Sequence, residues 1–103
     1  MSSRLDLHEE LCKILGSRNV YYNPPESAKM KYPAIVYSLN DYGNVIANNE
    51  VYIQFPGYSV TLIDKNPDSP IATKLSVLRG CQLSRPPYPV EGLYHFPFNL
   101  KRT

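Results

Sequence analysis

The chain has 103 residues, 43% of them apolar and 19% charged, enough for one modest core and too few for two, so a single domain spanning 1–103 is expected. Eleven Lys or Arg against nine Asp or Glu leave a formal charge of +2 with the signs interspersed, which gives no electrostatic ground for nucleic acid or an anionic membrane as the main partner. Two cysteines are too sparse for a secreted disulfide scaffold or a cysteine-based zinc site, and no run approaches the roughly 20 apolar residues that span a bilayer, so the cytoplasm of synthesis is the expected compartment.

In chain order, Leu7, Leu11, Ile14 and Leu15 fall at i, i+4, i+7 and i+8, one stripe of a helix predicted over 5–15. His8, Glu9, Glu10 and Lys13 turn mostly outward, and Gly16 closes the helix. A short β-branched and aromatic stretch at 19–22 is ended by Asn23-Pro24-Pro25, since neither proline offers a backbone donor. Residues 34–39 are apolar at nearly every position, as expected of a central strand.

Residues 40–57 give a mixed signal, rich in Asn, Asp and Gly at first, then alternating at Val51, Ile53 and Phe55 before Pro56-Gly57 breaks the run. This reads as a long excursion with a strand on its return arm. Clear alternation resumes over 58–64, with Tyr58, Val60 and Leu62 on one face and Ser59, Thr61 and Ile63 on the other. After a turn at 65–68, Ser69 reads as an N-cap with Pro70 at the first helical position, and Ile71, Leu75 and Leu78 share one helical face. Gly80 is expected to end this helix, 84–89 to be a proline-rich connector, and 94–100 a last strand that Pro97 assigns to an edge or a bulge.

The order helix, strands, helix, strand predicts an α+β fold: an antiparallel or mixed sheet of four to five strands with two helices packed on one face. Ten prolines and nine tyrosines without tryptophan favour loops and contact faces over a large dry core. With Tyr and Phe so common on the strands, part of the second sheet face is expected to be covered by something else.

Candidate chemistry is sparse. His8 and His95 lack further ligands at metal-binding spacing beyond Glu9 and Glu10 beside His8, and no metal or cofactor is expected. No serine sits in a Gly-x-Ser-x-Gly elbow, and Cys12 lies among apolar helix residues, a setting that leaves the sulfur inert. Asp64 and Asp68 flank a turn, where carboxylates serve as local acceptors, and there is no Gly-rich phosphate loop. The chain is therefore expected not to be an enzyme. Arg79, Arg85, Lys101 and Arg102 read as surface charge that could gather at one end of the domain. Excursions as long as 40–57 are usually functional or disordered, the plainer alternative being an irregular hairpin that serves nothing, and Tyr42 and Tyr52 are suited to anchor a contact with a neighbouring subunit.

Three stretches carry a resemblance: Tyr22-Asn23-Pro24-Pro25-Glu26, then Met30-Lys31-Tyr32-Pro33-Ala34-Ile35-Val36-Tyr37, then 58–69 from Tyr58-Ser59-Val60 to Pro67-Asp68-Ser69. In order and spacing they resemble the small tail-completion or tail-terminator proteins of long-tailed bacteriophages. The resemblance covers roughly 20–69 and, more loosely, the rest, including Leu93-Tyr94-His95-Phe96; after Cys81 the run Ser84-Arg85-Pro86-Pro87-Tyr88-Pro89 is richer in proline than the family pattern.

The resemblance implies a ring, typically a homohexamer, that caps the head-proximal end of the tail tube in the virion, stops tube polymerisation and joins the tail to the head connector. Its implied partners are further copies of itself, the tail tube protein and the head-tail connector protein, with no membrane and no specific nucleic acid, although DNA passes through such a lumen. It carries over no catalytic residue and no cofactor. Pro24, Pro25 and Pro33 then shape a loop, and 64–69 form the turn into the second helix. The candidate subunit or tube interface comprises Tyr42, Asn44, Asn48, Asn49, Tyr52, Arg79 and Arg85. Alternatives are a neighbouring head-completion or head-tail connector ring, a small metal-dependent nuclease using Asp64, Lys65 and Glu50, and an adaptor that adds a peptide strand at 94–100.

Overall fold

The computed structural model describes residues 4–25, 29–41, 44–47, 50–54 and 57–101, with 40, 41, 44–47 and 50–54 described through their backbone. The leucine stripe forms α1 (Arg4–Leu15), which buries Leu7, Leu11, Cys12 and Leu15. Gly16 follows at φ 83° and its N–H donates to the Cys12 carbonyl at 2.9 Å. β1 (Val20–Tyr22) runs parallel to β2 (Ala34–Asp41), and β2 runs antiparallel to β5 (Gly57–Asp64). Between them the chain leaves the sheet as β3 (Asn44–Ala47) and β4 (Glu50–Gln54), which pair only with each other among the described residues.

After β5, the carboxylate of Asp64 accepts the Asn66 N–H at 3.2 Å and the Asn66 side chain accepts the Asp68 N–H at 2.9 Å, two successive side-chain-closed turns. The Ser69 hydroxyl then accepts the Ile71 N–H at 3.3 Å, starting α2 (Pro70–Ser76) with proline at its head as expected. This helix stops at Ser76, four residues before Gly80, which instead forms the bend into β6 (Cys81–Leu83). β7 (Tyr88–Val90) joins β8 (Leu93–Lys101) through Glu91 (φ 50°) and Gly92 (φ 79°), the paired left-handed residues of a type I′ hairpin turn.

The main sheet is mixed and six-stranded, in the order β1-β2-β5-β8-β6, with β7 beside β6 on the same flank of β8. Both helices pack on one face of it, giving the expected α+β class with more strands than expected. β6 lies in 81–83, to which the sequence assigns no element, and β7 lies partly in the expected connector, because each has only three residues and exists by pairing with β8. β8 is therefore interior rather than an edge.

Pro97 is accommodated there because its carbonyl accepts the Ser84 N–H at 2.8 Å. A strand residue presents its N–H and C=O on the same side, so the missing donor of Pro97 points into the interval between β6 and β7, where it is not needed. The strand that would have required it is broken at 84–87.

Cross-strand register sorts the faces. Ile35, Tyr37, Tyr58, Val60, Leu62, Phe96, Phe98 and Leu100 turn toward the helices and form the core with Leu7, Leu11, Leu75 and Cys81. Each such burial contributes about 1.5–3 kcal/mol relative to exposure. The aromatic residues of the three long strands thus lie mainly under the helices, not on the second face as expected. That face carries a polar row, Ser38, Ser59, Asn99 and Gln82, beside Val36, Thr61 and Pro97. Ala34 and Ile63 are buried at its far end.

Candidate functional site

The excursion that the sequence marks out is a two-stranded arm in series with the two long strands β2 and β5. The β2–β5 ladder ends at the pair Asp41 and Gly57, and the β3–β4 ladder resumes at Asn44 and Gln54. Two register shifts punctuate it. Leu39 pairs with Tyr58 and Asp41 with Gly57, so Asn40 is an extra residue at the root; Val45 pairs with Ile53 and Ile46 with Val51, so Tyr52 is an extra residue within the arm. Bulges of this kind bend and twist a ribbon. The body is long in one direction, 50 Å against 25 and 24 Å, whereas eight-residue strands such as β2 and β5 account for only about 26 Å.

A cluster of rings stands midway along β2. The Tyr37 hydroxyl lies 2.7 Å from His8 Nδ1, with the Arg4 guanidinium 3.5 Å away, and burial raises the Tyr37 phenol above its ordinary pKa. Tyr37 also meets Tyr22 (ring centroids 5.0 Å) and Tyr58 (6.1 Å), and Arg4 sits 4.4 Å above the Tyr22 ring. His8, read as outward from the helix pattern, is thus half-buried against β2. These contacts fasten the start of α1 to β1 and β2, and through Tyr37 to Tyr58 of β5.

The opposite margin of the sheet runs along α2, β6 and β7. The Lys101 N–H donates to the Gly80 carbonyl at 3.0 Å, and a hollow of about 460 Å³ opens between Gly80, Cys81, Gln82, Asn99 and Lys101. Burial pushes the Cys81 thiol up to about 11, so at neutral pH it is a protonated core residue. Farther along, the Arg85 guanidinium lies 5.0 Å over the Tyr88 ring, which stacks on His95 at 5.2 Å. Val77, Leu83 and Val90 leave apolar surface exposed along this margin.

Of the residues singled out by sequence, Tyr42, Asn48 and Asn49 lie outside the described residues. Asn44 opens β3, Tyr52 is the bulge residue of β4, and the exposed Arg79 and Arg85 stand on either side of β6. The arm residues and the two arginines therefore belong to two separate places. The nuclease trio does not form a unit in the fold: Asp64 is engaged in its own turn at the end of β5, while Glu50 opens β4 in the arm. The proposed strand addition at 94–100 has no free edge, since β8 is paired on both sides. What sequence reasoning missed is the Arg4–His8–Tyr22–Tyr37 cluster, whose members are far apart in the chain; the only local sign was a histidine and an arginine at helical spacing near the core stripe.

No protein-family model, curated protein or solved structure matches the chain.

Proposed function

We propose that the protein is a ring-forming structural subunit of a long-tailed bacteriophage, seated at the head-proximal end of the tail tube, where the ring stops tube growth and joins the tail to the head connector. The observation that supports this reading is the arm. Two strands alone are marginally stable in water, yet this hairpin, with Val45, Ile46, Val51 and Ile53 in its sequence, pairs with no other strand among the described residues. A neighbouring copy supplies the layer that the arm lacks.

A closed ring needs two different surfaces that meet head to tail. The arm at β2–β5 and the margin at α2–β6 are two such surfaces on separate parts of the sheet. The stretches that resemble tail terminators lie elsewhere, on β1, β2, β5 and the turn into α2, so the resemblance and the arm are separate grounds.

The test is to delete residues 42–49 and measure mass and circular dichroism. A folded monomer that no longer forms the ring is expected; an intact ring after the deletion overturns the reading. Tubes assembled without the protein should also grow overlong, which distinguishes a terminator from a connector one ring away.

A further inference from the structure

The charges of this chain are divided between the excursion, meaning the arm together with its root in β2 and β5, and the rest of the chain. Residues 40–57 contain Asp41 and Glu50 and no Lys or Arg; all eleven basic residues and the other seven acidic ones lie outside, so the excursion carries −2 and the remainder +4. The basic surplus is concentrated along one margin: Lys74 at the end of α2, Arg79 before β6, Arg85 after it and Lys101 at the end of β8 are all exposed, with Glu91 the one acidic residue from 70 to 101. None of these four cations has an ion-pair partner among the described residues. The same margin exposes Val77 to 80% and Leu83 to 47%, and holds the hollow beside Gly80 and Lys101.

We infer that the occupant of this margin is the arm of a second copy of the chain with its root, a β-branched ribbon that brings Glu50 and, at the root, Asp41 against a basic, apolar edge. The inference rests on the ring reading and names the two surfaces that close it. Strand addition is not the mode of contact. The β6–β7 edge is broken at 84–87 and carries Pro86, Pro87 and Pro89, which blunt it as a template, so charge and apolar contact hold the arm.

Placement agrees with a contact between copies. The arm is rooted in β2 and β5, with β2 next to the β1 edge, and Asp41, Gly57, Lys101 and Gly80 follow one another across the same end of the sheet. When the β1 edge of one copy adjoins the β6 margin of the next, an arm bent at its Asn40 bulge reaches the neighbour's Arg79 and Lys101 corner. Each copy then gives one arm and receives one, the head-to-tail geometry of a closed ring.

Charge reversal in two separate chains tests this, with mass measured by light scattering and folding by circular dichroism. One variant carries Asp41→Lys and Glu50→Lys; the other carries Arg79→Glu and Lys101→Glu. Each alone should lose the ring, with at least a tenfold rise in the concentration needed for assembly, and a 1:1 mixture should recover it, because alternating copies restore every arm-to-margin pair. Assembly of the wild type should also weaken as salt rises and the Debye length falls from about 10 Å at 0.1 M to about 3 Å at 1 M.

Rings that persist in both single variants overturn the inference and leave the ring reading standing. Recovery only when all four substitutions share one chain, and not on mixing, places the charge pairing within a copy and also overturns it. A wild type that stays monomeric alone and with the tail tube protein overturns the ring reading, and this inference with it.

Discussion

Gly80→Ala is the sharpest probe of the margin at which the arm is proposed to dock. Gly80 has φ 82°, and a Cβ there would lie 2.3 Å from the Lys101 carbonyl oxygen, a backbone atom that cannot swing away. The left-handed conformation costs an alanine about 1 kcal/mol. Relieving the contact means moving backbone by about an ångström, which breaks the 3.0 Å bond from the Lys101 N–H to the Gly80 carbonyl and removes about 1 kcal/mol more. Loosening β6 then exposes part of Cys81 and Leu100, about another 1 kcal/mol. The sum, about 3 kcal/mol, lowers the melting temperature by roughly 12–24 °C for a domain of this size.

Gly92→Ala is the control, since Gly92 has φ 79° and nothing within 4 Å of the added carbon, so only the conformational cost of about 1 kcal/mol and roughly 4–8 °C applies. Thermal unfolding followed by circular dichroism at matched concentration decides the comparison. Equal losses in the two variants would refute the close approach of β6 to β8 at Lys101.

Tyr37→Phe keeps the buried ring and removes the hydroxyl beside His8, so it should cost about 1 kcal/mol in denaturant unfolding, while Tyr37→Ala, which empties a site that is 1% exposed, should cost about 3–5 kcal/mol. With its thiol pushed up to about 11 from an ordinary 9.0, Cys81 should react with iodoacetamide about 100-fold more slowly at neutral pH than a free thiol of pKa 9.0, through its smaller thiolate fraction alone. The same shift fixes the sign of its pH dependence: the folded state holds this proton longer than the unfolded one, so its contribution is complete below about 9 and is lost as pH rises from about 9 to 11. Cys81→Ser should remove that alkaline step.

The local elements were legible because their causes are local. The stripe Leu7, Leu11, Leu15, the Ser69-Pro70 helix start and the alternation of 58–64 each state their structure within one turn or one strand. β6 and β7 could not be read that way, since three residues carry too little pattern and their pairing is set by β8 up to about twenty positions away. Pro97 misled for the same reason: it signals a missing partner on one side, and only the gap at 84–87 shows that an interior strand can meet that condition. In the excursion, the alternation from Val51 to Ile53 announced β4, while Asn and Gly around Val45 and Ile46 hid β3. The candidate interface residues fall in two regions of sequence, and the fold places them in two separate parts of the molecule, which becomes visible only once β3 and β4 are seen to leave the sheet as one ribbon.

The mass of the purified full chain by light scattering, over a concentration series and then with the purified tail tube protein, tests the proposed role most directly. A closed ring, or an 11.7 kDa monomer that becomes one on the tube, is the predicted result. A monomer at every concentration that is indifferent to tube protein would contradict it.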